Sequence, residues 1–244
     1  MNLIVDVGNT RAKYSVFSNG EEIYATTSAH DSSALKIDRL FSDYPQIQKA
    51  IVSSVRKDTA ELVMLLNNKI STIELDHSTP IPLKIGYKTP DTLGADRIAT
   101  AIGANKLFPD EELLVIDMGT AITIDYIGRK GEFLGGNISP GVSLRFNSLN
   151  QLTHKLPLEK LEEETPAIGQ ATAEAIRGGV QEGIKNEILG YIHNFMKVNP
   201  AGLTILTGGD AIFFAKIIKY PIFVVCNLAM IGLHTILEYN AEDD

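Results

Sequence analysis

Leu3-Ile4-Val5-Asp6-Val7-Gly8-Asn9-Thr10 is an apolar run that ends in an acid, a glycine and two short hydrogen-bonding side chains. It predicts a buried strand carrying an acid to its carboxyl end, the ligand-bearing edge of an α/β sheet. The turn that follows has a glycine, which leaves no Cβ to obstruct a phosphate. The pattern returns at Leu114-Val115-Ile116-Asp117-Met118-Gly119-Thr120, with Asp117 standing 111 positions after Asp6. One copy could be an ordinary tight turn after a buried strand, but the paired recurrence points to two similar halves that open with the same device. In each, the backbone N–H groups of Gly8-Asn9-Thr10 or Gly119-Thr120-Ala121 can donate to phosphate oxygens. Asp6 and Asp117 can hold a cation that offsets the charge.

Outward from the first turn, Lys13 to Phe17 and Glu21 to Thr27 read as strands joined at Ser18-Asn19-Gly20, a hairpin signal. Asp31 to Tyr44 has helical apolar spacing and stops at Pro45, Lys49 to Ser54 is a short buried strand, and Asp58 with Glu61 makes a capping pair for a second helix. Ile73 to Leu75 is a further strand. From Asp76 to Leu93 the prolines and Tyr87 predict a substrate loop, which runs into Gly94-Ala95-Asp96-Arg97 and a helix ending near Pro109. An acid in a helix's first turn is commonplace, since it favours the dipole; the adjacent arginine is less well explained that way.

The second half repeats strand, turn and strand over Leu113 to Leu134. Gly135-Gly136-Asn137-Ile138-Ser139-Pro140-Gly141 follows and reads as a rigid bend suited to close backbone approach. Ala171 to Val198 is a long helix whose Gly178, Gly179 and Gly183 imply a close neighbour, in the same chain or in a second copy. Leu203 to Leu206 is a strand, Thr207-Gly208-Gly209-Asp210 a glycine turn that could pack under a nucleotide base, and Asn227 to Tyr239 a closing helix. The expected division is residues 1–111, with the first phosphate turn and the substrate loop, and residues 112–244, with the second turn and the long helix. The order of elements is α/β, with a mixed sheet flanked by helices in each half.

The 244 residues, 44% of them hydrophobic, suffice for a large core. A net charge of −8 argues against a general nucleic-acid or anionic-membrane surface. Cys226 is the single cysteine and sits in an apolar run, so a buried thiol and a reducing, cytoplasmic setting are expected. No apolar segment reaches the roughly 18 residues that a membrane span needs. No Gly-x-x-x-x-Gly-Lys-Ser/Thr loop occurs, and the five histidines show no metal-ligand spacing. The Lys and Glu run from Lys155 to Glu164 reads as a solvated face.

Taken together, Asp6-Val7-Gly8-Asn9-Thr10, Gly94-Ala95-Asp96-Arg97, Asp117-Met118-Gly119-Thr120 and the Gly-Gly-x-Ile-x-Pro-Gly loop at Gly135 to Gly141 resemble the type III pantothenate kinases. These belong to the superfamily of acetate kinase, sugar kinases, heat-shock 70 and actin. The resemblance runs from residue 3 to the closing helix and implies two actin-like, ribonuclease H-like halves. It further implies ATP-dependent phosphorylation of pantothenate to 4'-phosphopantothenate, the first step of coenzyme A biosynthesis. On this resemblance Asp6, Val7, Gly8, Asn9, Thr10, Arg11, Ala12 and Lys13 hold the ATP phosphates, with Thr120 adding a contact. Asp117 serves a monovalent cation, potassium or ammonium, and magnesium accompanies ATP. Tyr87, Gly94, Ala95, Asp96 and Arg97 bind pantothenate, with Asp96 as general base, and Thr172 adds a further substrate contact near the interface of a homodimer. Two alternatives stay open: a non-catalytic nucleotide-binding relative, and a kinase of the same superfamily acting on another hydroxyl.

Overall fold

The computed structural model describes residues 1–29, 33–55 and 59–241. His30, Asp31 and Asp58 lie outside them, and with them the expected start of the first helix and the Asp58–Glu61 capping pair. The described chain forms two compact units: Met1–Asp110, Lys130–Leu134 and Asn227–Asp244 in the first, Glu111–Arg129 and Gly135–Cys226 in the second.

The first unit opens with β1 (Asn2–Val7), β2 (Ala12–Ser18) and β3 (Glu21–Ser28). Asn19 and Gly20 turn β2 into β3 with φ of 52° and 82°, the left-handed pair that a two-residue hairpin requires. Helix α1 (Ser33–Asp43), β4 (Lys49–Ser54), α2 (Ala60–Asn67) and β5 (Ser71–Glu74) follow. The sheet order is β3-β2-β1-β4-β5, antiparallel on the β2 side of β1 and parallel on the β4 side. Side-chain alternation sends Leu3, Val5, Val7, Ala50 and Val52 to one face, where Ile37 and Leu40 of α1 and Val63 and Leu66 of α2 close the core. After the short strand β6 (Lys84–Ile85) comes α3 (Ala95–Leu107).

The second unit repeats this plan with β7 (Leu113–Met118), β8 (Ala121–Gly128), β9 (Glu132–Pro140), α4 (Val142–Gln151), α5 (Thr172–Val198), β10 (Leu203–Thr207), α6 (Ala211–Ile217) and β11 (Phe223–Val224). The order is β9-β8-β7-β10-β11, again antiparallel for β7 with β8 and parallel for β7 with β10 and β10 with β11. The fold is thus α/β, two actin-like halves each with a mixed sheet flanked by helices. Ile176, Val180, Ile184, Ile188, Ile192 and Phe195 recur every three or four residues along α5 and form the stripe that packs on Leu114, Ile116 and Leu206. The first three residues of β9 belong to the first unit, where Glu132 and Phe133 pair with Lys84 and Ile85 of β6.

Five details correct or narrow the reading of the sequence. Gly135 to Pro140 is strand rather than bend, because β8 lies alongside and takes up its backbone hydrogen bonds. A Cβ at Gly179 would meet nothing within 4 Å, so the neighbour expected there is not supplied by the described chain. Cys226 is exposed, since β11 is only two residues long and forms the sheet edge. The Lys155 to Glu164 run is not all solvated: Arg177 of α5 pairs with Glu159 and Glu162. Finally, α7 (Leu228–Ala241), expected within residues 112–244, packs on α3, β1 and β4 of the first unit. It crosses α3 at a pair of glycines: a Cβ on Gly103 would lie 2.2 Å from the Leu228 carbonyl oxygen, and one on Gly232 would lie 1.8 Å from that of Ala99. None of the described helices is long and apolar enough to cross a membrane.

Candidate active site

Hairpin geometry builds the first turn. Asp6 of β1 stands opposite Lys13 of β2, and Val7 opposite Ala12, which leaves Gly8, Asn9, Thr10 and Arg11 as the loop. Gly8 N donates to the Arg11 carbonyl at 3.1 Å, and Val55 N caps the Val7 carbonyl at 3.2 Å. Asn9, Thr10, Arg11 and Lys13 are exposed, and Ala12 is buried. On the parallel side Asp6 is in register with Ser53, a residue with no accessible surface whose hydroxyl has no hydrogen-bond partner. Asp6 keeps part of its surface at the strand end. Protein atoms nevertheless crowd it enough that burial holds its carboxyl above the ordinary 3.8; Asp96 repels it in the same direction and Lys13 opposes both. That coupling places the acid of α3 within electrostatic reach of the first turn.

The second turn has the same plan with different walls. Asp117 faces Thr123 of β8 and is in register with Thr207 of β10. Gly119 N donates to the Ala121 carbonyl, and Asp210 N caps the Met118 carbonyl, each at 3.1 Å. Two glycines distant in sequence press on the turn. A Cβ on Gly208, whose φ is +92°, would lie 2.4 Å from Asp117 Oδ1, and one on Gly141 would lie 2.3 Å from the Gly119 carbonyl oxygen. Gly141 N also donates to the Thr120 carbonyl at 3.0 Å. Arg145 steadies the strand end before it: its Nε donates to the Pro140 carbonyl at 2.8 Å and its Nη2 to Ser139 Oγ at 2.8 Å, while the guanidinium pairs with Glu187 of α5. Thr120 is exposed.

The substrate candidates of the first unit converge on the start of α3. Gly94 is the N-cap, and Asp96 Oδ1 accepts from Arg97 N at 2.8 Å, which fixes the carboxylate over the first turn, where the dipole favours it. The Arg97 side chain is buried, its guanidinium carbon 5.6 Å from the Tyr87 ring centre and 5.4 Å from that of Phe133. Tyr87 and Phe133 meet edge to face at 5.9 Å. Thr172 opens α5 in the second unit; with Arg145, Ile176 and Gly179 it lines a surface cavity of about 590 Å³.

A strand-borne acid and a glycine turn, present twice, with a third acid on a helix N-terminus, suit phosphate and hydroxyl handling. Residues 2–194 match the family described as type III pantothenate kinase. A type III pantothenate kinase of Phocaeicola vulgatus is 42% identical over 240 residues, 98% of this chain and 99% of that protein. The chain belongs to the type III pantothenate kinase family. Solved structures extend the likeness at the level of fold. One is a Campylobacter jejuni protein provisionally described as a conserved Baf family transcriptional activator, with TM-score 0.66, 24% identity and coverage of 98% of this chain and 99% of that one. Another is the inorganic polyphosphate/ATP-glucomannokinase of an Arthrobacter strain, with TM-score 0.52, 13% identity and coverage of 99% and 100%.

Against this type III pantothenate kinase background, the sequence reading missed Phe133, Gly141, Arg145 and Gly208. Gly141 and Gly208 were noted as loop glycines, but the atoms they clear room for are far away in sequence. Phe133 was noted only as a strand residue.

Proposed function

We propose that this type III pantothenate kinase transfers the γ-phosphoryl group of ATP to the primary hydroxyl of pantothenate. The observation that carries the reading is the strand-borne Asp6 at a glycine turn suited to phosphate, together with Asp96 in a helix first turn that also bears the aromatic-flanked Arg97. Asp6 to Lys13 hold the ATP phosphates through backbone N–H groups and the Lys13 ammonium, and Thr120 adds a contact. Tyr87, Gly94, Ala95 and Arg97 hold pantothenate. Asp96 takes the hydroxyl proton as the oxygen bonds to the γ-phosphorus and the bond to the β-bridging oxygen breaks, releasing ADP. Little covalent chemistry falls to the protein, so positioning and charge account for most of the rate.

A monovalent cation, potassium or ammonium, fits at Asp117. Its carboxylate, carried to the end of β7, supplies hard oxygen donors. Such an ion would offset phosphate charge. Magnesium would accompany ATP. Thr172 and the open surface at Gly179 support a homodimer in which Thr172 completes the pantothenate pocket of the other copy; light scattering at assay concentration checks it, and a monomer removes that role.

The test of the activity is ADP release by the purified protein with ATP, potassium and pantothenate, against a panel of other primary alcohols. Pantothenate is expected to outpace the panel. Equal or faster turnover of another alcohol assigns a different substrate, and no release with any acceptor leaves a nucleotide-binding role only.

A further inference from the structure

Lys130–Leu134 stands apart from its sequence neighbours, for it lies in the first unit while the residues on either side of it belong to the second. Within this short piece Phe133 has no accessible surface at all. Its ring meets the Tyr87 ring edge to face at 5.9 Å and lies 5.4 Å from the guanidinium carbon of Arg97. Its backbone is engaged too, for Gly86 N donates to the Phe133 carbonyl at 2.9 Å, and at the preceding position the Glu132 side chain pairs with Lys84 Nζ at 2.7 Å. A Cβ on Gly86 would come within 3.0 Å of that same carbonyl oxygen, so the residue before Tyr87 is pressed against the Phe133 backbone.

Phe133 therefore holds Tyr87 by backbone and by ring edge, and Arg97 by ring face. A guanidinium within reach of two rings set nearly at right angles is attracted to both and loses freedom to rotate, so the direction of its N–H groups is fixed. A planar donor set held in this way suits a carboxylate, which accepts in the same plane. We propose that Phe133 is a positioning residue for pantothenate recognition. It touches no reacting atom, and it sets the orientation of Arg97 and Tyr87 and so the affinity for the carboxylate end of the substrate. The inference rests on the reading of Tyr87 and Arg97 as pantothenate-binding residues.

The experiment compares Phe133→Met, which keeps volume and removes the ring, with Phe133→Tyr, which keeps the ring. In Phe133→Met the KM for pantothenate is expected to rise about tenfold while that for ATP stays within about twofold, and Phe133→Tyr should recover most of the loss. Should Phe133→Met fail to fold, 3,4,5-trifluorophenylalanine at position 133 drains the ring face at nearly constant shape and should raise the same KM several-fold. An unchanged pantothenate KM in a folded ringless or fluorinated protein overturns the proposal, as does an equal rise for ATP, which would mark general damage. If the unaltered enzyme turns over another alcohol and ignores pantothenate, the substrate reading itself has failed and takes this inference with it. That failure is seen before any variant is made.

Discussion

Asp6 and Asp117 occupy the same place in two sheets of the same order, and each has a hydroxyl residue beside it on the parallel strand, Ser53 or Thr207. They differ on the antiparallel side, where Asp6 faces Lys13 and Asp117 faces Thr123. They differ also in their walls: Gly208 and Gly141 crowd the second turn, whereas a Cβ on Gly8 would meet nothing nearer than the Arg11 carbonyl at 3.3 Å. The first turn is set by fixed charges, Asp6, Lys13 and Asp96. The second is set by close packing, with Gly208 and Gly141 pressed against a carboxylate and its turn. A duplicated device is walled differently in its two copies, one by charge and the other by packing.

The contrast breaks most visibly at Asp96. Asp96→Asn should lower kcat by a factor of about 100 to 10,000, the usual range for a lost general base, with an unaltered circular dichroism spectrum. Retention of more than about half the kcat would move proton acceptance elsewhere. Next in size is crowding. Gly208→Ala and Gly141→Ala should each cost about 1–3 kcal/mol, since the added methyl meets backbone or carboxylate atoms, and Gly8→Ala should cost clearly less. Thermal unfolding midpoints give the ranking, and equal shifts for the three variants would erase the distinction between the turns.

Asp117→Ala should raise the potassium concentration for half-maximal stimulation at least about tenfold, as removing a ligand exceeds the effect of removing its supporting partners. Potassium and magnesium are titrated separately; a shifted magnesium response beside an unchanged potassium response would assign Asp117 to the divalent ion. The smallest effect concerns stability. Burial raises the folded-state pKa of Asp6 above 3.8, so the folded protein holds this proton where the unfolded chain has released it. Stability is therefore lost as pH climbs from about 3.8 through the raised value. Asp6→Asn escapes that penalty and should unfold at a higher temperature than the parent at pH 7, with the gap closing toward pH 4. A less stable Asp6→Asn at pH 7 would mean that attraction to Lys13 outweighs burial.

What could be read from the chain was whatever neighbours in sequence determine together. An apolar run, an acid and a glycine define both turns locally, and Asn19-Gly20 defines a hairpin, so these stand where the residues place them. Gly94 to Arg97 start a helix for the same reason. The walls of the second turn could not be read in this way. Gly208 matters because of Asp117, and Gly141 because of Gly119, and only tertiary contact joins those pairs. The Gly135 to Pro140 strand was hidden by its own glycines, which weaken strand propensity but not the pairing that β8 imposes. Cys226 was misread because apolar neighbours suggest a core strand, whereas a two-residue edge strand buries little.

The glycine crossing of α7 over α3 also has a consequence in time. A chain is made from its amino end, and domains usually form as their residues emerge. Here the helix that carries Asp96 and Arg97 rests its small-residue face on a helix that is synthesised after the second unit. The first unit stays unfinished while the entire second unit is translated, and α3 gains its support only when Leu228–Ala241 arrives. A ribosome that stalls anywhere before that point leaves a nascent chain with both glycine turns made and α3 without the helix it packs on.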